Sequence, residues 1–125
     1  MSDVPFSINK LKSSKAIDLL FANGKYLKIS GFSLIYLKQK NRSSKGLCVG
    51  FSVGKKQQAL AVDRNKTKRL MRESFRLSVN DLLVSNNSFY HIMFVCNESS
   101  PPYFSSVSDK IKSLLLSFSE SIKND

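Results

Sequence analysis

Apolar and polar positions along this chain change their period several times, and each change marks an element. Over 13–23 the residues Ile17, Leu20 and Phe21 recur at helical spacing, Ser13 or Ser14 can cap the start, and Gly24 can stop the helix. The stretches 32–38 (FSLIYLK) and 47–53 (LCVGFSV) are rich in β-branched and aromatic residues and read as strands, separated by a polar loop over 39–45. A hairpin is the simplest arrangement of that pair. Residues 89–96 (FYHIMFVC) form one continuous apolar run of strand length, the pattern of a central strand buried on both sides. After Pro101-Pro102, the residues Phe104, Val107, Ile111, Leu114, Leu115, Phe118 and Ile122 repeat at spacings of three and four, which predicts an amphipathic last helix with serines facing outward.

Between the second and third strands the pattern is of another kind. Asp63 is a suitable N-cap, and no Pro or Gly interrupts the chain from Arg64 into the low eighties, so a helix is expected there. At about 100° per residue, Asn65, Lys68, Arg69, Arg72 and Arg76 fall on one side, while Thr67, Leu70, Met71, Ser74, Phe75 and Leu82 fall on the other. One side packs and the other is a basic stripe. Arg64, Lys68, Arg72 and Arg76 repeat every fourth residue, so their charges repel unless an anion relieves them. That repulsion argues for a bound polyanion over a merely solvated face.

Charge sharpens the picture. The chain of 125 residues has a formal net charge of +11, a field that attracts polyanions such as nucleic acid and makes binding to them salt-dependent. Residues 1–76 carry +13 and residues 77–125 carry −2, so one contiguous portion makes the basic surface and the remainder serves as scaffold. The length suits one compact domain, 1–125, with a single core. No apolar run reaches about 18 residues and the first ten residues lack a secretory pattern, so a cytoplasmic protein is expected. Cys48 and Cys96 are the only cysteines, each within an apolar strand, and read as buried thiols rather than a bond or a metal site.

The densest cation run is A61-V-D-R-N-K-T-K-R-L-M-R-E-S-F-R76, preceded by F51-S-V-G-K-K56. Arginine forks onto phosphate oxygens and lysine acts as a point charge, so this run suits a phosphate backbone and gives affinity with little base reading. Its order and spacing, A-V-x-R-N-x-x-K-R-x-x-R-E-x-x-R after F-S-V-x-K-K, resemble the signature of the bacterial ribonuclease P protein family. Lys10-Leu11 and Leu20-Phe21-Ala22-Asn23-Gly24 match that family's opening pattern. The resemblance covers roughly residues 6–76.

The resemblance implies an α+β fold in a single domain, with a sheet of about four strands and three helices. It is like the second domain of ribosomal protein S5, with a left-handed βαβ crossover leading into the basic helix. The short remaining strand would have to lie within 57–62. It further implies that Arg64, Asn65, Lys66, Lys68, Arg69 and Arg72 face the large catalytic RNA. A cleft between the first helix and the sheet would take the 5′ leader of precursor tRNA, with Ile17, Phe21, Phe32, Ile35 or Tyr36, Ser52, Lys55 and Lys56 at the matching positions. Aromatic faces beside phosphate-facing lysines are a sound means of holding single-stranded RNA. The cut itself would be made by the RNA with Mg²⁺, the protein alone being inactive, and no further protein partner is implied. Several positions depart from the family pattern. Lys66 replaces an arginine and gives up the bidentate fork, Thr67 stands where a larger aliphatic is common, Gly54 replaces Ser or Pro, and Ile17 replaces an aromatic.

Catalysis by side chains finds little support. RNA hydrolysis wants a His pair or a carboxylate cluster, whereas the chain has one histidine, His91, in an apolar strand, and acids scattered singly. The competing reading is a structural rRNA-binding or ribosome-assembly protein, which size and charge suit equally well. A small basic nuclease and a DNA-binding regulator lack, respectively, the catalytic groups and the helix-turn-helix spacing.

Overall fold

The computed structural model describes residues 7–40, 46–82 and 88–122. Its elements in chain order are β1 (Ser7–Lys10), α1 (Ser14–Asn23), β2 (Lys25–Ile29), β3 (Phe32–Gln39), β4 (Gly46–Val53), α2 (Ala61–Leu82), β5 (Phe89–Cys96) and α3 (Phe104–Ser121). The five strands form one mixed sheet in the order β1-β4-β5-β3-β2. Helices α2 and α3 cover one face and α1 crosses the other.

Helix α1 begins and ends as its sequence predicts. The Ser13 hydroxyl accepts from the Ala16 N–H at 3.2 Å, and the Gly24 N–H donates to the Leu20 carbonyl at 2.8 Å. A Cβ on Gly24 would stand 2.8 Å from Ile35 Cγ2, so the tight exit from α1 into β2 requires glycine. The β2–β3 hairpin turns at Ser30-Gly31, where Gly31 has φ +80°. Helix α3 follows Pro101-Pro102, as its spacing predicts, and buries Val107, Ile111, Leu114, Leu115 and Phe118.

Strand β5 is central, as its continuous apolar run requires, with β4 parallel on one flank and β3 antiparallel on the other. That placement overturns the expected hairpin between residues 32–38 and 47–53. An apolar strand needs partners on both edges, so β5 enters between the two and separates them. The expected loop over 39–45 lies for the most part outside the described residues. The strand expected within 57–62 is absent, because that stretch forms a turn and the first residues of α2. The strands not anticipated are β1 and β2, both short and at sheet edges, and the KYLKI of β2 breaks the alternation of apolar and polar positions, so neither carries an apolar period.

Side chains alternate across each strand and divide the interior in two. Phe32, Leu34 and Tyr36 of β3, Leu47, Val49 and Val53 of β4, and Tyr90, Ile92, Phe94 and Cys96 of β5 meet α2 and α3. Phe118 of α3 packs edge-on against Tyr36 and Tyr90, with ring centroids 5.1 and 5.3 Å apart. On the other face a smaller cluster joins Leu11, Leu20, Ile35 and Met93. Burial of each such side chain contributes about 1.5–3 kcal/mol, so the face under α2 and α3 supplies most of the apolar stabilisation. Among the described residues, no helix is long and apolar enough to cross a membrane.

Candidate nucleic-acid interface

Helix α2 starts at Ala61, two residues before the expected cap. The Arg64 N–H donates to the Leu60 carbonyl at 3.1 Å, and Asp63 lies in the first turn, where the positive end of the helix dipole favours a carboxylate. Thr67, Met71, Ser74, Phe75 and Val79 are buried against the sheet and α3, while Leu70 is half-buried beside them. The side chain of Leu82, expected on this packing side, lies outside the described residues. Thr67 and Ser74 are small, and the Ser74 hydroxyl donates to the Leu70 carbonyl at 2.9 Å, so each buried hydroxyl is satisfied within the protein.

The opposite side of α2 is the basic stripe. Asn65, Lys66, Arg69 and Arg72 are exposed, and Arg64 and Lys68 are half-buried. The six residues expected to face RNA thus share one helix, though they are not alike. Nη1 of Arg64 donates to the carbonyls of Gln58 and Ala59 at 2.9 and 2.8 Å, which ties its guanidinium to the preceding turn. Lys66, Lys68, Arg69 and Arg72 make no ion pair among the described residues. Arg76, one turn further on, pairs with Glu73. The exposed Glu73 carboxyl is held below its usual range by the hydrogen bond from Arg76, and the Arg76 guanidinium is raised by the same bond.

The residues expected at a leader cleft divide between the two faces of the sheet. Register pairs Ser33 with Val95 and Val95 with Ser52, which puts all three on the face that α1 crosses. Ile35 pairs with Met93 on that same face and lies beneath α1. Ile17 is half-buried against this cluster, and Phe21 is 39% exposed near the end of α1. Lys55 and Lys56 are exposed on the turn after β4.

Phe32 and Tyr36 correct the expectation. They are 1% and 6% exposed in the core under α2 and α3, on the other side of the sheet. Neither ring is available to stack on a base. Of Ile35 and Tyr36, strand alternation puts only Ile35 on the α1 face, and there it is 1% exposed and buried beneath the helix.

Tyr26 was not anticipated, since β2 gives no sequence signal. It pairs in register with Ile35, so it shares the α1 face. Its hydroxyl donates to the Phe21 carbonyl at 2.9 Å, and Lys28 approaches its ring to 5.9 Å. Phe21, Tyr26 and Lys28 thereby gather two exposed rings and a cation at one end of α1. At the other end, a groove of about 860 Å³ is lined by Lys10 and Ile17 together with Lys68, Arg72 and Arg76 over the apolar side chains of Phe51 and Phe75. It brings a residue of the expected leader set, Ile17, together with Lys68 and Arg72 of the set expected to face the catalytic RNA.

Comparison with known proteins accounts for this arrangement. The family model described as Ribonuclease P matches residues 7–118. The chain belongs to the ribonuclease P protein family. The ribonuclease P protein component of Vesicomyosocius okutanii is 38% identical over 63 residues, covering 50% of this chain and 53% of that protein. That of Chlorobaculum tepidum is 42% identical over 76 residues, covering 57% of this chain and 48% of that one. The chain therefore spans about half the length of the curated relatives it matches. The ribonuclease P protein of Thermotoga maritima superposes with a TM-score of 0.69 at 24% identity, covering 87% of this chain and 96% of that one. The Staphylococcus aureus protein gives 0.68 at 20% identity, covering 85% and 91%. At these identities the structural likeness establishes the ribonuclease P protein fold.

Two of the departures from the family pattern can be placed in the structure. The Thr67 hydroxyl finds a buried acceptor, and a Cβ at Gly54 would displace only the end of the exposed Gln57 side chain.

Proposed function

We propose that this protein is the protein subunit of a ribonuclease P holoenzyme. It binds the catalytic RNA and the 5′ leader of precursor tRNA and assists endonucleolytic removal of the leader, giving the mature tRNA 5′ end. The observation that carries this reading is the cation face of α2, where Lys66, Lys68, Arg69 and Arg72 stand with no ion pair among the described residues, in a chain of this family. Unrelieved like charges at helical spacing cost stability, and a phosphate backbone removes that cost.

The α1 face supports the second half of the proposal. Ile17, Phe21 and Ser52, with Lys55 and Lys56 on the turn after β4, form the candidate leader surface, and Tyr26 and Lys28 beside Phe21 extend it. Ile35 acts from beneath by supporting α1. Rings and cations on one open face suit single-stranded RNA with little sequence preference. The protein's contribution is positional and electrostatic: contact with the leader separates precursor from mature tRNA, and added positive charge lowers the Mg²⁺ needed to screen RNA against RNA. The cut is assigned to the RNA and its Mg²⁺. The cytoplasm, where precursor tRNA is made, is the proposed site of action.

The test is cleavage of a 5′-extended precursor tRNA by the matching ribonuclease P RNA at low Mg²⁺, with and without the protein. The protein is expected to restore accurate cutting, and the combined variant Lys68→Glu, Arg69→Glu and Arg72→Glu is expected to lose the rescue. Tight RNA binding without any effect on cleavage would refute the reading.

A further inference from the structure

The turn between β4 and α2 holds the two candidate leader lysines, and it is fastened by an unusual residue. Gln58 is 2% exposed, yet it is a primary amide in a place an aliphatic side chain could fill. Its Nε2 donates to the carbonyl of Glu98, just beyond β5, at 3.1 Å, and its Oε1 accepts the hydroxyl proton of Thr67, on α2, at 2.9 Å. Thr67 is fully buried, at 0% exposure. The backbone joins in: the Gln58 N–H donates to the Gly54 carbonyl at 3.0 Å, closing the turn that contains Lys55 and Lys56, and the Gln58 carbonyl accepts from Arg64.

A matched apolar pair at 58 and 67 would replace both partners of their mutual hydrogen bond, which is close to neutral, and would withdraw only the donor to the Glu98 carbonyl. Directional bonds differ from packing in that they define one position. Through Gln58 the turn is registered at once to the end of β5 and to the first turns of α2. We infer that Gln58 and Thr67 are positioning residues, whose hydrogen bond sets where Lys55 and Lys56 stand relative to the cations of α2. In this way the leader surface and the catalytic-RNA surface keep a constant offset. The inference rests on the reading that Lys55 meets the leader.

The test is a coupling experiment on the reconstituted holoenzyme, reading the ratio of affinities for leader-bearing precursor and mature tRNA. Thr67→Val keeps the shape of the side chain and removes the donor. It is expected to lower the ratio about fivefold, the size of one lost hydrogen bond, while Thr67→Ser stays near wild type. Lys55→Ala is expected to lower the ratio in the wild-type background and to add nothing in the Thr67→Val background. The doubly apolar variant Gln58→Met with Thr67→Val guards against simple destabilisation, and its ratio should stay low although its core is filled. Additive effects of Thr67→Val and Lys55→Ala, or a wild-type ratio in the doubly apolar variant, would overturn the inference and leave the leader reading intact. A wild-type ratio in Lys55→Ala would overturn both. Amide hydrogen exchange at Gln58 reports on the turn by itself: it should quicken in Thr67→Val and recover in Thr67→Ser, and unchanged exchange in Thr67→Val sinks the latch whatever the leader does.

Discussion

Ile35 and Tyr36 are neighbours in the chain and point to opposite sides of the sheet, Ile35 beneath α1 and Tyr36 against Phe118 of α3. Their alternation separates the cluster under α1, beside the proposed leader surface, from the core under α2 and α3. Tyr36→Ala should therefore act on stability, costing about 3–5 kcal/mol by the usual range for a buried aromatic. Urea denaturation measures the loss, and the folded fraction should keep the wild-type preference for precursor over mature tRNA. A change in that preference at full folding would place Tyr36 in the leader surface after all.

Phe21 and Tyr26 make the opposite case, because both rings are exposed. Phe21→Ala and Tyr26→Ala should each weaken leader binding by about 1–3 kcal/mol if a base stacks there, with melting temperature nearly unchanged. Precursor tRNAs of graded leader length would show it as a flattened length dependence.

The basic face has a quantitative signature in salt. Each of Lys66→Ala, Arg69→Ala and Arg72→Ala should reduce the slope of log affinity against log salt for the catalytic RNA by about 0.7–0.9. Arg64→Ala should do more than that to the preference for the leader, since its guanidinium also holds the carbonyls of Gln58 and Ala59. Filter binding across a salt series separates the two behaviours.

Glu73 is the acid beside the stripe and engages Arg76. Glu73→Gln should tighten RNA binding and steepen the salt slope, because it frees a cation and removes a repelling charge. Its carboxyl is held below the usual range, so the small stability it supplies is present above the unfolded carboxylate pKa and is lost as pH falls through the folded value. Being an exposed pair, it should leave the thermal midpoint near neutral pH almost unmoved in Glu73→Gln.

Cys96 is buried at the end of β5, and burial raises its thiol pKa, whereas Cys48 is half-buried on the α1 face. A maleimide should label Cys48 well before Cys96 in the native protein, and equal rates would contradict the packing. A raised thiol pKa favours the folded state fully below the unfolded thiol pKa, and that contribution is lost as pH climbs through the folded value.

Much of this protein was legible in its sequence because the relevant information is local. The period of apolar residues located α1, α3 and β5, and the long uninterrupted run with cations on one side located α2 and its basic stripe, since a helix turns about 100° per residue whatever it packs against. The family motif, carried by Arg64, Asn65, Lys68, Arg69 and Arg72, is likewise a matter of spacing. Strand partners are not local. A period of two says which residues share a face but not which face is covered, so Phe32 and Tyr36 passed for leader residues until α2 and α3 were seen to lie over them. The edge strands β1 and β2, short and without a regular apolar period, are held by backbone pairing to a sheet that exists only after folding, and with them came Tyr26. The Gln58–Thr67 bond joins residues nine apart and a carbonyl forty residues further on. Composition and spacing determined that this chain has a cationic helix and an apolar scaffold. The tertiary structure alone decided which side of each strand is open, because that depends on which helices come to rest on the sheet.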